Sequence, residues 1–372
     1  MDEYVAGNIR NIALVGHGGA GKTTLTESLL FATGTTNRLG TIESGNTVSD
    51  YSVEEQERQY SLNASLVQFE SSGTKINILD TPGYSDFIGE AIGALRAVDN
   101  AVVVINAQTG VEVGTELLWG YANDYNLPRM IVVNACSREH ADFDQASEQA
   151  KERFGSSIIV AQYPVNQGEG FNQIVDLLSQ KLYTYEVGGK GTGTASDIPA
   201  DLQDQAAILR EELVDAIAES DEALLEKYLE GEELDEKTVV AALKNAVKGG
   251  LVVPLVVTDA AHGIGIDRFI EWTVSILPSP VDMDAIEATT PGDGDDTVAI
   301  LPDENEPLSA YVFKTVSEEH VGELSFVRVY SGTLKKGSTL INTTKDRKER
   351  VTRLLEMHAN QRLDKDEFYA GD

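Results

Sequence analysis

The feature that most constrains this chain is a glycine-rich motif between a short apolar run and a helical segment. Residues 16–23 read Gly-His-Gly-Gly-Ala-Gly-Lys-Thr and fit the phosphate-binding pattern G-x-x-x-x-G-K-[S/T]. Glycines let backbone N–H groups turn inward around phosphates, and the following helix points its positive end at them. Lys22 can neutralise the outer phosphates, and the Thr23 hydroxyl can bind Mg²⁺. The motif therefore predicts an α/β fold that begins with strand, loop and helix.

The segments after this motif alternate between strand-like and helix-like patterns. We predict strands at 12–15, 75–79, 101–106 and 129–134, and helices at 23–32, 86–98 and 114–125. This alternation predicts a mostly parallel sheet covered by helices on both faces. Ligands bind such sheets at the carboxyl ends of the strands. Because the glycine loop, Asp80 and Asn134 each follow a strand, we expect them to converge at one edge.

The rest of the chain predicts an insertion, a linker and a second domain. We expect a P-loop domain over 1–285, with a helical or α+β insertion at about 155–250, before a strand at 251–257 resumes the sheet. A segment rich in Gly, Pro and Asp predicts a linker over 286–307. Alternating strands at 311–316, 323–330 and 338–343 predict an antiparallel β-barrel over 308–372, with few strands for a complete barrel.

Composition narrows the compartment and the partners. No apolar run approaches the ~18 residues of a membrane span, and the N-terminus lacks a signal pattern. A single cysteine, Cys136, excludes an internal disulfide framework. We therefore expect a cytoplasmic monomer with no membrane partner. The net charge of −32 argues against DNA as a partner.

Much of the acidic charge is local. The segment 197–240 holds fifteen acidic and three basic residues, yet it keeps helical apolar spacing. Two interpretations stay open, a solvated helical face and a docking face for a basic protein partner.

A second motif, Asp80-Thr81-Pro82-Gly83, follows the predicted strand at 75–79. An acid in this position can hold Mg²⁺ through water, and the N–H of Gly83 can contact a terminal phosphate and move when it leaves. Ser61, in the loop between the two motifs, is a candidate Mg²⁺ hydroxyl. The alternatives are that residues 80–83 form an ordinary turn and that Ser61 is only a surface serine.

Together with longer matches, these motifs make the chain resemble the translation elongation factor G family of translational GTPases. The matches are GHGGAGKTT at 16–24, DTPG at 80–83, KYLEGEE at 227–233, FKT and VGELSFVRVYSGTL within 313–334, and NTTKDRKERVTRLLEMHAN at 342–360. The resemblance implies a G domain with an inserted subdomain, then a β-barrel. It also implies binding of GTP or GDP with Mg²⁺, and action on the ribosome in moving tRNA and mRNA. Three further domains of the family have no counterpart here, so the chain resembles a fragment.

The resemblance assigns site residues by position. The phosphates would contact Gly16, His17, Gly18, Gly19, Ala20, Gly21, Lys22, Thr23, Thr24, Asp80, Thr81, Pro82, Gly83 and Tyr84. The base would contact Asn134, Ser137, Asp259 and Ala260, and Mg²⁺ would be held by Thr23, Ser61 and Asp80. Catalysis would involve Lys22, Gly83 and Tyr84.

Three departures from the family pattern concern hydrolysis. Gly19 stands where most members carry Asp, and 58–61 reads Arg-Gln-Tyr-Ser in place of Arg-Gly-Ile-Thr. Tyr84 replaces the histidine that orients the attacking water. A phenol is a poor base at neutral pH, and losing such a group costs ~10²-fold in rate. We therefore expect slow GTP hydrolysis.

The base-recognition segment also departs from the pattern. The family reads guanine with Asn-Lys-x-Asp, whereas 134–137 reads Asn-Ala-Cys-Ser. A serine hydroxyl cannot replace a carboxylate that accepts two hydrogens from guanine. The family's Ser-Ala loop is Asp259-Ala260 here, so Asp259 either supplies the missing carboxylate or caps a turn.

Three other functions stay open. One is a ribosome-binding factor that binds nucleotide without hydrolysing it, and the second is a ribosomal-protection factor. The third is a P-loop kinase, for which the sequence shows neither an arginine-rich lid nor an acceptor pocket.

Overall fold

A computed structural model gives the fold of residues 4–230, 235–290, 296–318 and 322–372. The strands up to residue 257 are β1 (Ile9–Val15), β2 (Ser65–Ser71), β3 (Thr74–Asp80), β4 (Asn100–Asn106), β5 (Arg129–Asn134), β6 (Ile158–Val160), β7 (Gln162–Pro164), β8 (Gln173–Asp176), β9 (Lys181–Thr184), β10 (Thr194–Ser196) and β11 (Val253–Val257). The helices are α1 (Lys22–Ala32), α2 (Val53–Arg58), α3 (Ile88–Ala97), α4 (Val113–Asp124), α5 (Phe143–Phe154), α6 (Ala200–Glu219), α7 (Glu222–Leu229), α8 (Glu236–Lys248) and α9 (Ile266–Ser275).

A seven-stranded sheet forms the centre of the first domain, in the order β2-β3-β1-β4-β5-β11-β6. All its neighbouring strands are parallel except β2 and β3. Every residue of β1, β4 and β11 is buried, as expected for strands covered by helices on both faces. The predicted α/β fold is confirmed, and the carboxyl ends of β1, β3 and β5 lie along one edge.

Two strands of this sheet were not predicted. β2 pairs antiparallel with β3 through a tight turn in which Ser72 and Gly73 both have positive φ angles. β6 pairs with β11 and so extends the sheet into the segment predicted as an insertion. Three residues are too few to show a strand periodicity, so only the pairing with β11 identifies β6.

The inserted region combines a small sheet with helices. The sheet has the order β10-β9-β8-β7 and is antiparallel throughout. The helices α6, α7 and α8 bury apolar residues that include Leu213, Ile217, Leu224, Val239 and Leu243. Of the KYLEGEE match, residues 231–233 lie outside the described residues, and the two interpretations of the acidic segment stay open.

The C-terminal region is built from short antiparallel pairs. Its strands are β12 (Ile286–Thr289), β13 (Thr297–Ile300), β14 (Ser309–Glu318), β15 (Gly322–Ser331), β16 (Thr333–Lys335), β17 (Thr339–Asn342), β18 (Arg347–Arg350), β19 (Leu354–His358), β20 (Gln361–Lys365) and β21 (Glu367–Tyr369). The pairs β14–β15, β16–β21, β17–β18 and β19–β20 surround a core centred on Val329, Leu334 and Leu354. Strands β12 and β13 pair within the predicted linker, of which 291–295 lie outside the described residues. The domain boundaries stay predictions.

Ion pairs join the β-rich region to the first domain. Arg328 contacts Asp99 at 2.9 Å, and Lys75 on β3 contacts Asp372 at 2.6 Å. Lys314 contacts Glu90 on α3 at 2.6 Å, and the same carboxylate accepts the N–H of Ala64. Within the described ranges, none of the helices combines the length and the apolar character that crossing a membrane requires.

Candidate functional site

The glycine-rich loop is shaped by close backbone contacts. A Cβ atom on Gly16 would lie 2.3 Å from the carbonyl oxygen of Val104 on β4, and one on Gly21 would lie 2.3 Å from Nδ2 of Asn134. Both glycines also have positive φ angles. Gly21 is the N-cap residue that precedes α1, and it has no side chain that could cap the first N–H groups of the helix. The first N–H groups of α1 therefore point into the loop, which is the arrangement that binds anions.

Lys22, the first residue of α1, lies inside this loop. Its Nζ donates to the carbonyl oxygens of Gly16 at 2.8 Å and His17 at 2.9 Å. Burial lowers the pKa of Lys22 to about 8, and the nearby carboxylates of Asp80 and Asp50 oppose this shift. The ammonium is thus held where a polyanion is the partner that best offsets its burial.

Two hydroxyls and two carboxylates gather beside Lys22. Thr23 Oγ1 lies 3.2 Å from Ser61 Oγ, and the buried carboxyls of Asp80 and Asp50 lie next to them. None of the described residues makes a hydrogen bond of good distance and angle to the carboxylate oxygens of Asp80 or Asp50, although the hydroxyl of Thr23 lies close enough to lower the pKa of Asp80 and that of Ser61 to lower the pKa of Asp50. Burial is the main cause that raises the pKa of Asp80 to about 6 and of Asp50 to about 7.

These four side chains fit a Mg²⁺ ion. Hard oxygen ligands suit Mg²⁺, which takes one or two carboxylates and completes its shell with water and phosphate oxygens. A cation would also relieve the repulsion between the two buried carboxylates. In the described part of the chain, no group of three or more His, Cys, Asp or Glu side chains could hold a metal ion. Sequence reasoning missed Asp50, because its loop shows no periodic pattern.

A buried glutamate fixes the loop that carries Ser61. Ser52 and Glu55 form a capping box at the start of α2. Oε1 of Glu55 also accepts the N–H groups of Leu62 and Asn63, each at 3.0 Å. Glu55 therefore closes the 52–63 segment on itself and sets the position of Ser61. The sequence signal was present, since Ser-x-x-Glu marks a capping box, but sequence reasoning did not use it.

The motif 80–83 packs directly on the glycine-rich loop. A Cβ on Gly83 would lie 2.5 Å from both the backbone N of Gly18 and Nζ of Lys22. Thr81 donates its hydroxyl to the Leu14 carbonyl oxygen at 2.6 Å, and Pro82 is buried beside it. Thr81 thus ties the motif to β1, which brings Gly83 to the phosphate-binding loop.

Tyr84 lies at the outer rim of this end. Its ring is edge-on to Tyr60, with 4.9 Å between the ring centroids, and contacts the backbone at Gly18. The residue is 42% exposed. The His17 ring lies edge-on to Tyr84 with 6.4 Å between the ring centroids, and its Nε2 lies 3.5 Å from Glu112, just before α4.

At the other end, Asn134 joins three segments. Its Nδ2 donates to the Ala20 carbonyl oxygen at 3.1 Å. Its Oδ1 accepts the Thr258 hydroxyl at 3.1 Å and the Ala260 N–H at 3.0 Å. Asn134 therefore fixes the glycine-rich loop to the loop that follows β11, with Ala260 fully buried between them.

A small pocket opens beside Asn134. Its lining residues are Gly19, Ala20, Gly21, Thr24, Asn106, Asn134, Ala135, Ser137, Arg138, Asp259, Ala261 and His262. Asp259 enters this pocket as predicted, and its Oδ2 accepts the backbone N–H of Ser137 at 2.7 Å. Its Oδ1 lies 2.7 Å from Nδ1 of His262. Its carboxylate makes no capping bond to the turn Ala260–His262. Sequence reasoning missed His262.

The predicted site residues thus fall into two groups. Lys22, Thr23, Ser61, Asp80, Gly83 and Tyr84 gather at what we call the phosphate end. Gly19, Ala20, Gly21, Thr24, Asn134, Ser137 and Asp259 line what we call the base end, with Ala260 behind them. The remaining predicted residues lie in the glycine-rich loop or in the 80–83 motif packed against it; they are Gly16, His17, Gly18, Thr81 and Pro82. The role of each residue stays a prediction.

Comparison with known proteins gives matches along the whole chain. Residues 7–279 match the family described as elongation factor Tu GTP binding domain, and residues 307–372 match elongation factor G domain 2. Elongation factor G of Chlamydia trachomatis serovar D is 39% identical over 375 aligned residues, which cover 100% of this chain and 54% of that relative. Elongation factor G of serovar A gives the same values.

A solved structure agrees with these matches. A crystal structure of a protein from Thermus thermophilus superposes with a TM-score of 0.85 and 34% identity, covering 98% of this chain and 51% of that one. The chain therefore spans about half the length of the curated relatives it matches.

Proposed function

Since this chain belongs to the elongation factor G-like translational GTPases, we propose that it binds GTP and GDP at the two ends described above and acts on the ribosome. The observation that carries the proposal is the convergence of three separate segments at one sheet edge. These are the glycine-rich loop with Lys22, the buried pair Asp80 and Asp50, and the pocket between Asn134 and Asp259. Each suits a different part of a nucleotide.

We assign the phosphate end to the triphosphate. The N–H groups at the start of α1 and the ammonium of Lys22 would bind phosphate oxygens. Thr23, Ser61, Asp80 and Asp50 would hold Mg²⁺, which neutralises phosphate charge when bound. The backbone of Gly83, already against the loop, would contact the terminal phosphate.

We assign the base end to guanine. Asn134 would contact the purine and keep the two loops together. Asp259, held by the backbone N–H of Ser137, would supply the carboxylate that the family places at the position of Ser137. Support for this exchange is that Asp259 lines the same pocket, with its side chain only 1% exposed.

We expect GTP hydrolysis to be slow. Tyr84 occupies the rim where a water-orienting group would stand, and a phenol offers a hydrogen bond but no effective base. The specific observation is that the ring packs edge-on against Tyr60 and is part of a small aromatic cluster. A factor that binds nucleotide without hydrolysing it is therefore the second candidate function.

The ribosome as partner, the translocation step and the cytoplasm as location are proposals that rest on the family. The ribosomal-protection alternative depends on parts of the relatives that this chain does not match. The kinase alternative loses its support, because the chain matches elongation factor families on both sides of residue 300.

The test is calorimetric titration of the purified chain with GTP, GDP, ATP and XTP, each with Mg²⁺. We expect micromolar binding of GTP and GDP, with ATP weaker by at least tenfold. Adenine has an acceptor at N1 and only a hydrogen on C2, where guanine would present two donors to Asp259. Equal binding of ATP, or no binding of any nucleotide, would contradict the proposal. Release of phosphate from bound GTP, with and without ribosomes, then separates the two candidate functions.

A further inference from the structure

His262 lies in the pocket at the base end and has no role assigned above. It is the last residue of the turn Ala260–His262, so it lies in the same loop as Asp259. Nδ1 of His262 lies 2.7 Å from Oδ1 of Asp259 and 3.1 Å from Oγ of Ser137. The ring is 44% exposed, whereas the Asp259 side chain is 1% exposed. A base that enters the pocket therefore meets the His262 ring as well as the edge of the carboxylate.

The contact with Asp259 determines which ring nitrogen carries the proton. An ionised carboxylate only accepts hydrogen bonds, so the hydrogen between Asp259 and His262 belongs to Nδ1. In the neutral imidazole the other nitrogen, Nε2, is then an acceptor. The pair Asp259–His262 thus presents two kinds of acceptor to the pocket, carboxylate oxygens and Nε2.

Guanine needs more acceptors than Asp259 alone can provide in this arrangement. The edge of guanine that distinguishes it from adenine presents two donors, the N1–H and the 2-amino group. A carboxylate can take both when its oxygens are available, but here Oδ2 already accepts the Ser137 N–H and Oδ1 the His262 Nδ1–H. One lone pair remains on each oxygen, but the Asp259 side chain is only 1% exposed, so the part that a base can reach suits one donor and the second donor needs another acceptor.

We propose that His262, oriented by Asp259, accepts a hydrogen bond from the 2-amino group of guanine through Nε2 and so determines base preference in this chain. The inference rests on the proposed function, because it assigns a further contact within the same nucleotide site. Asp259 then takes the N1–H, and the two residues divide a task that one carboxylate performs in the family pattern.

Inosine triphosphate tests this division, because hypoxanthine keeps the N1–H and lacks the 2-amino group. The experiment measures dissociation constants of GTP and ITP, each with Mg²⁺, for the wild-type chain and for three variants. His262→Asn keeps a donor at the place of Nδ1 and removes Nε2. His262→Gln keeps an acceptor near the place of Nε2, and His262→Ala removes both.

For the wild type we expect ITP to bind about tenfold more weakly than GTP, the size of one hydrogen bond to a neutral acceptor. In His262→Asn the GTP affinity should fall to that of ITP, while ITP affinity stays unchanged. His262→Ala frees Oδ1 of Asp259, so it should keep part of the preference for GTP. His262→Gln should recover part of the difference. Unchanged ITP binding also serves as the control for folding of each variant.

Two results would overturn the inference. One is a ratio of ITP to GTP dissociation constants that is the same in wild type and His262→Asn. The other is an equal fall in GTP and ITP affinity, which would mean that His262 only holds Asp259 in place. If the wild type bound neither GTP nor ITP, the proposed function itself would fail and the inference with it, so the two failures are distinguishable.

Discussion

The phosphate end and the base end of this site are built from different materials. At the phosphate end the cradle itself is backbone, formed by the N–H groups that begin α1 after glycines at positive φ angles, and side chains such as Lys22 and Asp80 surround it. The base end is made by side chains, in which Asn134, Ser137, Asp259 and His262 contact one another or the loops beside them. The glycine-rich motif agrees with its general pattern, whereas the base-recognition segment does not.

The two ends of the site should therefore differ in how readily their residues can be substituted. A backbone cradle depends on φ angles and close approach, so most of its residues cannot be replaced without moving the chain. A side-chain network depends on donors and acceptors, so a carboxylate lost at one position can be replaced from a neighbouring loop.

The glycines of the glycine-rich loop should differ sharply in their tolerance of substitution. Gly16→Ala should lower the free energy of unfolding by about 3 kcal/mol, because its Cβ would meet the Val104 carbonyl oxygen in a buried strand. Gly19→Ala is the matched control, since Gly19 also has a positive φ but its Cβ would have no described neighbour within 4 Å. Its cost should be ~1 kcal/mol. Urea titrations would measure both, and equal effects would contradict a cradle set by close approach.

Lys22→Ala should weaken GTP binding ~100-fold, since it removes a charged donor from a buried site. Calorimetry with GTP measures the change. Lys181→Ala is the control, because Lys181 is an exposed lysine on β9 whose ion-pair partner is Asp197, and it should bind GTP like the wild type. An affinity of Lys22→Ala within a few fold of wild type would place the phosphates elsewhere.

Tyr84 is a side chain at the outer rim of the phosphate end and makes no contact within the described residues that fixes the backbone cradle, so it should be replaceable. Tyr84→His should raise the single-turnover rate of GTP hydrolysis on ribosomes up to ~100-fold, by restoring a group that orients and accepts a proton from water. GTP affinity should stay unchanged. Tyr84→Phe keeps the packing on Tyr60 and should hydrolyse no faster than the wild type. Equal rates for His and Tyr would show that position 84 does not limit hydrolysis.

Asp259→Asn should reduce GTP affinity ~30-fold, because the amide offers fewer acceptors and adds donors that face those of guanine. XTP should bind better than in the wild type, since xanthine carries a carbonyl oxygen where guanine has its amino group. Competition binding with GTP and XTP measures both. Ser137→Ala is the control, because it leaves the backbone N–H that Asp259 accepts. A loss of guanine preference in Ser137→Ala, but not in Asp259→Asn, would reverse the assignment.

Much of this architecture is readable from local patterns. The apolar runs before Gly16, Asp80 and Asn134 predict strands, and their ends meet at one edge of the sheet as expected. Strand β6 was missed because three residues show no period, and only its pairing with β11 makes it part of the sheet. Asp50 was missed because its loop has no regular spacing, whereas Glu55 lay within a Ser-x-x-Glu capping-box pattern that was not used; both side chains are buried.

The sequence alone predicts the phosphate-binding loop, the α/β alternation, the family, and departures from its pattern such as those at Tyr84 and Ser137. These follow from residue types at fixed short spacings, which local geometry translates directly into structure. Only the tertiary structure decided that Asp50 joins Asp80 beside Thr23, and that Asp259 and His262 bond to Ser137. Those contacts join segments far apart in the chain, and no local spacing records which distant side chains a folded sheet brings within hydrogen-bonding distance.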